Sequence, residues 1–196
     1  MPSSTILSNY WENGKEVKID IGKYQILLKN KDKDAIAKMI YYRFSNRYIH
    51  PFKYNHQDYK KYYKNGFAMM ASACLMIEAL ESFYNGWEST EETGDKSFKS
   101  FFGKFKSLRI FQSFKFYKLI RCGLLHQAET TGGYKISRNG QLFNESSKTI
   151  KAVKLHDELE KCLTAYCDLL RTKEWDSDIW DNFRIKMRSI IKNCKG

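Results

Sequence analysis

The chain is short of the residues that many chemistries need. Proline occurs twice in 196 residues, at Pro2 and Pro51, which excludes a Pro-rich linker or a collagen-like chain. Histidine occurs four times, at His50, His56, His126 and His156. No Ser-His-Asp arrangement, Gly-x-Ser-x-Gly elbow, P-loop or Gly-rich dinucleotide turn accompanies them, so serine-hydrolase and nucleotide-phosphate readings lack a motif. The five cysteines, Cys74, Cys122, Cys162, Cys167 and Cys194, are odd in number, form no C-x-x-C pair and have no histidine at zinc-ligand spacing. Reduced thiols, several of them small core hydrophobes, are expected, with no metal and no cofactor. Long hydrophobic runs are also missing: the stretch from Gly66 to Ile77 falls well short of the roughly 18 to 20 apolar residues that span a bilayer. The first residues, Met1 to Tyr10, carry neither a basic n-region nor a long apolar h-region. The expectation is a cytoplasmic protein away from the membrane, in which the Asn144-Glu145-Ser146 sequon stays idle.

Aromatic and basic residues are plentiful. With 13 Phe, 13 Tyr and 42% hydrophobic residues, the chain holds enough apolar material for a core and too much for a disordered protein. Its formal charge is +12, unevenly spread. Between Lys96 and Ala128 lie eight basic residues (Lys96, Lys99, Lys104, Lys106, Arg109, Lys115, Lys118 and Arg121) and no acidic one. A helix built only for solubility usually mixes signs to gain i,i+4 pairs, so this run points to a polyanion. A second basic stretch, Arg184 to Lys195, closes the chain. Acidic clusters at Glu88, Glu91, Glu92 and Asp95, and at Glu174, Asp176, Asp178 and Asp181, read as loops or helix starts, where negative charge suits the helix dipole.

The hydrophobic periodicity predicts a mainly α protein: a bundle of about four to five helices with a small β-hairpin inserted after the third. Residues 1–33 read as an N-terminal extended arm, in which residues 15–28 alternate apolar and polar around Gly22 as a short arm or hairpin would, and residues 34–196 as one helical domain with the β insertion near 133–153. Helices are predicted from Asp34 to about His50, ended by Pro51; over 58–86, apolar on nearly every face and stopped by Asn85-Gly86; from an Asp95 or Ser97 cap to about Gln127, broken near Ser107; and over 155–172 and 176–193. Tyr134 to Phe143 reads as a hairpin because Asn139-Gly140 is a preferred type I′ turn, with a further extended segment at 149–153.

The most unusual histidine context is Arg121-Cys122-Gly123-Leu124-Leu125-His126-Gln127, at the end of the basic run. This Arg-x4-His arrangement, late in a helical segment, resembles the R-x(4 to 6)-H signature of the HEPN superfamily. Many of its members are metal-independent endoribonucleases used as toxins, in phage defence or in RNA processing. The resemblance implies a helical bundle of four to five helices and a homodimer whose two Arg/His motifs form a composite active site. It makes Arg121 and His126 the catalytic pair, with an acidic residue on the second helix, Glu78 or Glu81, orienting the arginine. Cys122 takes the supporting position after the arginine, where the family commonly carries Asn, Asp or His. A branch of the family silenced by nucleotide transfer to a tyrosine just after the histidine would need Tyr where Ala128 stands. A second, looser match, Arg43-x6-His50, ends the first long helix, earlier than the family places its motif.

The chemistry of the pair is sound by itself. RNA carries its own nucleophile, the 2′-hydroxyl, so cleavage needs a group that moves protons and a cation for the developing charge on phosphorus. Histidine titrates near neutrality and a guanidinium holds phosphate bidentately. Lys115, Lys118 and Gln127 lie close enough in sequence to hold RNA backbone, and Phe116 or Tyr117 to stack a base. The expected partners are RNA, a second copy of the chain and a restraining antitoxin or regulatory protein. The structural alternative makes His126 a helix-end histidine and Arg121 an ion-pair partner, in a nonenzymatic module that binds RNA, nucleotide or protein.

Overall fold

A computed structural model describes residues 5–53, 64–90 and 93–194. The expected first turns of the 58–86 helix, and Glu91 and Glu92, fall outside these residues. The protein is mainly α, with a hairpin at one end of the chain and a three-stranded sheet in the middle. It forms two compact units. One comprises Met1–Arg47, Ser82–Ser89 and Leu163–Gly196, and the other Tyr48–Glu81 and Thr90–Cys162.

In the first unit, β1 (Ile6–Glu12) and β2 (Lys15–Asp20) pair antiparallel across Asn13-Gly14. Both turn residues have positive φ (49° and 75°), as a type I′ hairpin turn requires. Helix α1 (Ile21–Lys29) follows at once. The Asp20 carboxylate accepts from the Lys23 backbone N–H at 2.8 Å and so caps a segment whose Ile21 and Tyr24 are buried one turn apart. The expected extended arm is therefore half hairpin and half helix. Helix α2 (Lys33–Phe44) starts from the Asp32 cap and runs through a wide π-turn, Ser45–Ile49, into a 3-10 turn at His50–Phe52. It supports the hairpin: Arg43 donates to the Leu7 carbonyl at 2.7 Å and Asn46 to that of Asn9 at 2.6 Å. The rings of Tyr10 and Tyr42 stack with centroids 4.5 Å apart. The core of this unit is aromatic. Phe83, on the last turns of α3 (Gly66–Asn85), meets Phe44 at 5.6 Å, Phe183 at 6.0 Å and Tyr166 at 6.2 Å. The last two belong to α7 (Asp178–Asn193) and α6 (Ala152–Thr172).

The second unit holds the rest of α3 and α6 with the segments between them. Helix α3 is long and apolar enough to cross a membrane by length and composition, but 61% of its most apolar stretch is buried inside the protein. The predicted third helix is broken more thoroughly than expected: α4 (Gly94–Lys104), a 3-10 turn (Lys106–Phe111), a π-turn (Tyr117–Cys122) and α5 (Gly123–Gln127). Thr93, not Asp95 or Ser97, stands at the N-cap of α4. Its hydroxyl turns back to the Thr90 carbonyl at 2.8 Å, while Asp95 pairs with Lys99 at 2.6 Å and Ser97 donates to Gly94.

The sheet also differs from expectation. β3 (Lys135–Ser137) and β4 (Phe143–Asn144) do not pair with each other. Both flank β5 (Thr149–Lys151), β3 in parallel and β4 antiparallel. The hydroxyl of Ser137 bonds both the N–H and the carbonyl of Asn139 (3.1 and 2.9 Å), a local side-chain turn that competes with a hairpin ladder.

His156 on α6 is buried in this unit. A carbonyl can only accept, so its Nε2 carries the proton donated to Met69 O at 2.7 Å. Its Nδ1 is buried with no hydrogen-bond partner among the described residues, and the Phe52 ring stands edge-on at 5.2 Å. Burial, opposed by the Met69 carbonyl and by Asp157, holds this imidazole below the ordinary value of 6.5. The unfolded chain therefore binds the proton more readily. The stability gained by keeping the ring neutral is complete above about pH 6.5 and drains away as the pH falls through the lowered native value. Thermal midpoints measured from about pH 7.5 down to about pH 5 should fall. The His156→Gln protein should start less stable but lose less over the same range; an equal slope in the two proteins would refute this role.

Candidate functional site

The π-turn over Tyr117–Cys122 is the local device that builds the site. Its wider winding places residues four and five apart over one another. Tyr117 therefore lies beneath both Arg121, whose guanidinium carbon sits 5.3 Å from the ring centroid, and Cys122, which neighbours the phenol. Buried phenylalanines hold the turn. Phe116 stacks on Phe98 at 5.6 Å and meets Phe102 and Phe111 at 5.0 and 5.6 Å. At the far end Thr131 donates twice to the Leu119 carbonyl, from its N–H at 2.9 Å and its hydroxyl at 3.2 Å.

Arg121 is held by Glu78 of α3: Nε donates to Oε1 at 2.8 Å and Nη2 to Oε2 at 3.4 Å. Both side chains are largely covered, at 21% and 13% exposure. Partial burial opposes the guanidinium charge, but the bonds and attraction of Glu78 outweigh it and hold Arg121 above its ordinary value. Burial first, then Cys122, pushes the Tyr117 phenol up. Of the two acidic candidates, Glu78 is thus the partner of Arg121. Glu81 is fully buried and holds Lys104 at 2.5 Å.

His126 and Gln127 end α5 on the surface, exposed, and neither side chain makes a hydrogen bond or ion pair among the described residues. Lys115 and Lys118 are likewise exposed and stand outside the ion pairs among the described residues. Phe116 is 1% exposed and locked in the ring cluster, which removes it as a stacking platform. Tyr117 is occupied by Arg121 and by Phe98 at 5.8 Å. The basic run is less uncompensated than its sequence implies: Lys99, Lys104 and Arg121 pair with Asp95, Glu81 and Glu78. Arg43 of the looser motif donates to Leu7, and His50 is an exposed residue of the 3-10 turn. Among the described residues no three His, Cys, Asp or Glu side chains are grouped to hold a metal ion.

Sequence reasoning missed Tyr117 as the support of Arg121, although the i,i+4 spacing of an aromatic and an arginine is a readable signal. It also missed the role of Gly123. A methyl group there would lie 2.4 Å from the Glu129 carbonyl oxygen and 3.4 Å from Thr130 Cα, so the chain beyond α5 can fold back only over glycine. Neither a protein-family model, nor a curated protein, nor a solved structure matches this chain.

Two substitutions test this local construction in opposite directions. Gly123→Ala should destabilise by about 1 to 3 kcal/mol, because a backbone atom must move. Ala128 closes α5 in the left-handed region at φ 55°, where a side chain is strained, so Ala128→Gly should stabilise by up to about 1 kcal/mol. Denaturant unfolding measures both, and a neutral Gly123→Ala would show that the turn is not so constrained.

Proposed function

We propose that this protein is a metal-independent endoribonuclease, acting in defence or as a toxin, with Arg121 and His126 at its working centre. The observation that carries the reading is the orientation of Arg121. Glu78 takes two of its five donors and Tyr117 supports its plane, so the guanidinium is fixed yet keeps Nη1 for a phosphate oxygen. His126, five residues further on, is exposed and uncommitted. In the proposed reaction a base removes the 2′-hydroxyl proton, the 2′-oxygen attacks phosphorus, and an acid protonates the departing 5′-oxygen. The products are a 2′,3′-cyclic phosphate and a 5′-hydroxyl. Arg121 stabilises the charge that builds on the phosphoryl oxygens, and the exposed Lys115, Lys118 and Gln127 hold the flanking backbone.

The two proton transfers call for a base and an acid, and one histidine stands in this segment; in the proposed site the second group comes from another copy of the chain. The exposed apolar residues support this. Leu75 (43% exposed) lies one turn before Glu78 and Leu125 (41%) one turn after Arg121, so both border the ion pair with surface that a homodimer would cover. A second reading is favoured by one observation. The Arg121–Glu78 pair is already satisfied, which suits an RNA-binding module in which the arginine is structural.

Incubating the full chain with total RNA in EDTA separates them. The enzyme reading expects cyclic-phosphate ends, an activity loss of about 100- to 10,000-fold in His126→Ala, and a large loss in Arg121→Lys, which cannot grip bidentately. Leu75→Glu with Leu125→Glu should abolish dimerisation and activity together. Intact RNA alongside salt-sensitive binding supports the module, and wild-type cleavage by His126→Ala refutes the proposed chemistry.

A further inference from the structure

The first unit contains a cleft that this chemistry leaves unused. About 420 Å³ in volume, it is lined by Lys38, Tyr41 and Tyr42 of α2 and by Thr164, Cys167 and Arg171 of α6. The lining falls on one stripe of each helix, at i, i+3 and i+4 on α2 and at i, i+3 and i+7 on α6. The helices run antiparallel here, since Lys33 bonds the Lys173 carbonyl at 2.9 Å and Asp34 approaches Arg171 at 3.6 Å. The cleft is thus a trough with two cations toward one end and three hydroxyls toward the other. Cys167 lies buried, its thiol pushed up to about 12 by burial, which makes it a neutral wall and not a nucleophile.

We propose that this trough binds a small phosphomonoester whose remaining part carries hydroxyl groups, a sugar phosphate in size and chemistry. Among the described residues no carboxylate lines it. The carboxylates that touch its cations, Glu12 on Lys38 and Asp34 and Asp168 on Arg171, stand outside the lining and are solvent-exposed, so they orient the cations at little cost to their availability. Arg171 gives Nη1 to Asp168 at 2.8 Å and retains donors for a phosphate, and the Lys38 ammonium retains a proton beyond those directed at Glu12 and the Tyr10 ring. The tyrosines favour a polyol over a flat base. Tyr42 is stacked on Tyr10, and Tyr41 stands at 87° to it, so the wall offers edges and hydroxyls, without a pair of parallel faces to sandwich a base. The volume falls in the range of ligand-sized sites.

Calorimetric titration of the full chain with glucose 6-phosphate, inorganic phosphate, glucose and adenosine monophosphate tests this. Saturable glucose 6-phosphate binding is expected, tighter than phosphate or glucose alone and weakened about tenfold or more by Lys38→Gln and by Arg171→Gln, since each removes a charge-assisted contact. Both side chains are about a third exposed (34% and 37%), so the variants should fold, and circular dichroism verifies it. Absence of saturable binding, binding unchanged in both variants, phosphate binding as tight as glucose 6-phosphate, or tighter binding of adenosine monophosphate would each overturn the proposal.

Discussion

Two carboxylates on an otherwise apolar helix constrain much of the second unit. An isolated buried charge costs many kcal/mol, so Glu78 and Glu81 require cations wherever the chain goes next. Arg121 and Lys104 supply them, from the π-turn and the end of α4. The two matches differ in kind. Glu81 is completely enclosed and is reached by an ammonium on a flexible stem, while the partly open Glu78 is met side-on by a planar fork. Each pair pins its segment to α3, and the phenylalanine cluster fills the space those pins leave.

The same pairs change the meaning of the basic run. Counted along the sequence, eight cations from Lys96 to Arg121 face no acid. Counted in space, three are neutralised by Asp95, Glu81 and Glu78, and what remains for a polyanion is carried mainly by Lys96, Lys106, Lys115, Lys118 and Arg109. A one-sided stretch of charge is therefore part scaffold and part surface, and only the second part is open to the proposed nucleic-acid partner.

The long helices were legible because their stripes recur at 3.6 residues; the ends set by Asn85-Gly86 and by the acids before α7 were equally plain. The strands were not. Of the four Asn-Gly pairs, two lie beside a segment of strand-like composition. The pair forms a hairpin at Asn13-Gly14, where seven- and six-residue strands reward the turn. At Asn139-Gly140 the Ser137 hydroxyl captures the backbone and β5 enters between the candidate partners. A dipeptide reports the turn its φ angles allow, and strand pairing is decided by segments a dozen residues away. Helix α1 was hidden for a related reason: Ile19-Asp20-Ile21 alternates like a strand, and only the Asp20 cap shows where the period changes. In the candidate site, Arg121 and His126 stood out by residue type, and an acidic partner on α3 followed from charge. The choice of Glu78 over Glu81, and the support from Tyr117, depended on the π-turn, whose extra residue no periodicity in so short a segment reveals.

That π-turn ties local structure to the proposed chemistry. An arginine on the surface loses much side-chain entropy when it grips a phosphate, and a buried arginine satisfied on every side has nothing left to give. Arg121 stands between these limits: two donors are spent on Glu78, its plane rests on Tyr117, and Nη1 remains. Removing the carboxylate would leave the charge in place and release the plane. Glu78 therefore matters to the proposed function through geometry more than through charge, whereas the exposed lysines matter through charge alone. This difference separates positioning from attraction within one short stretch of chain.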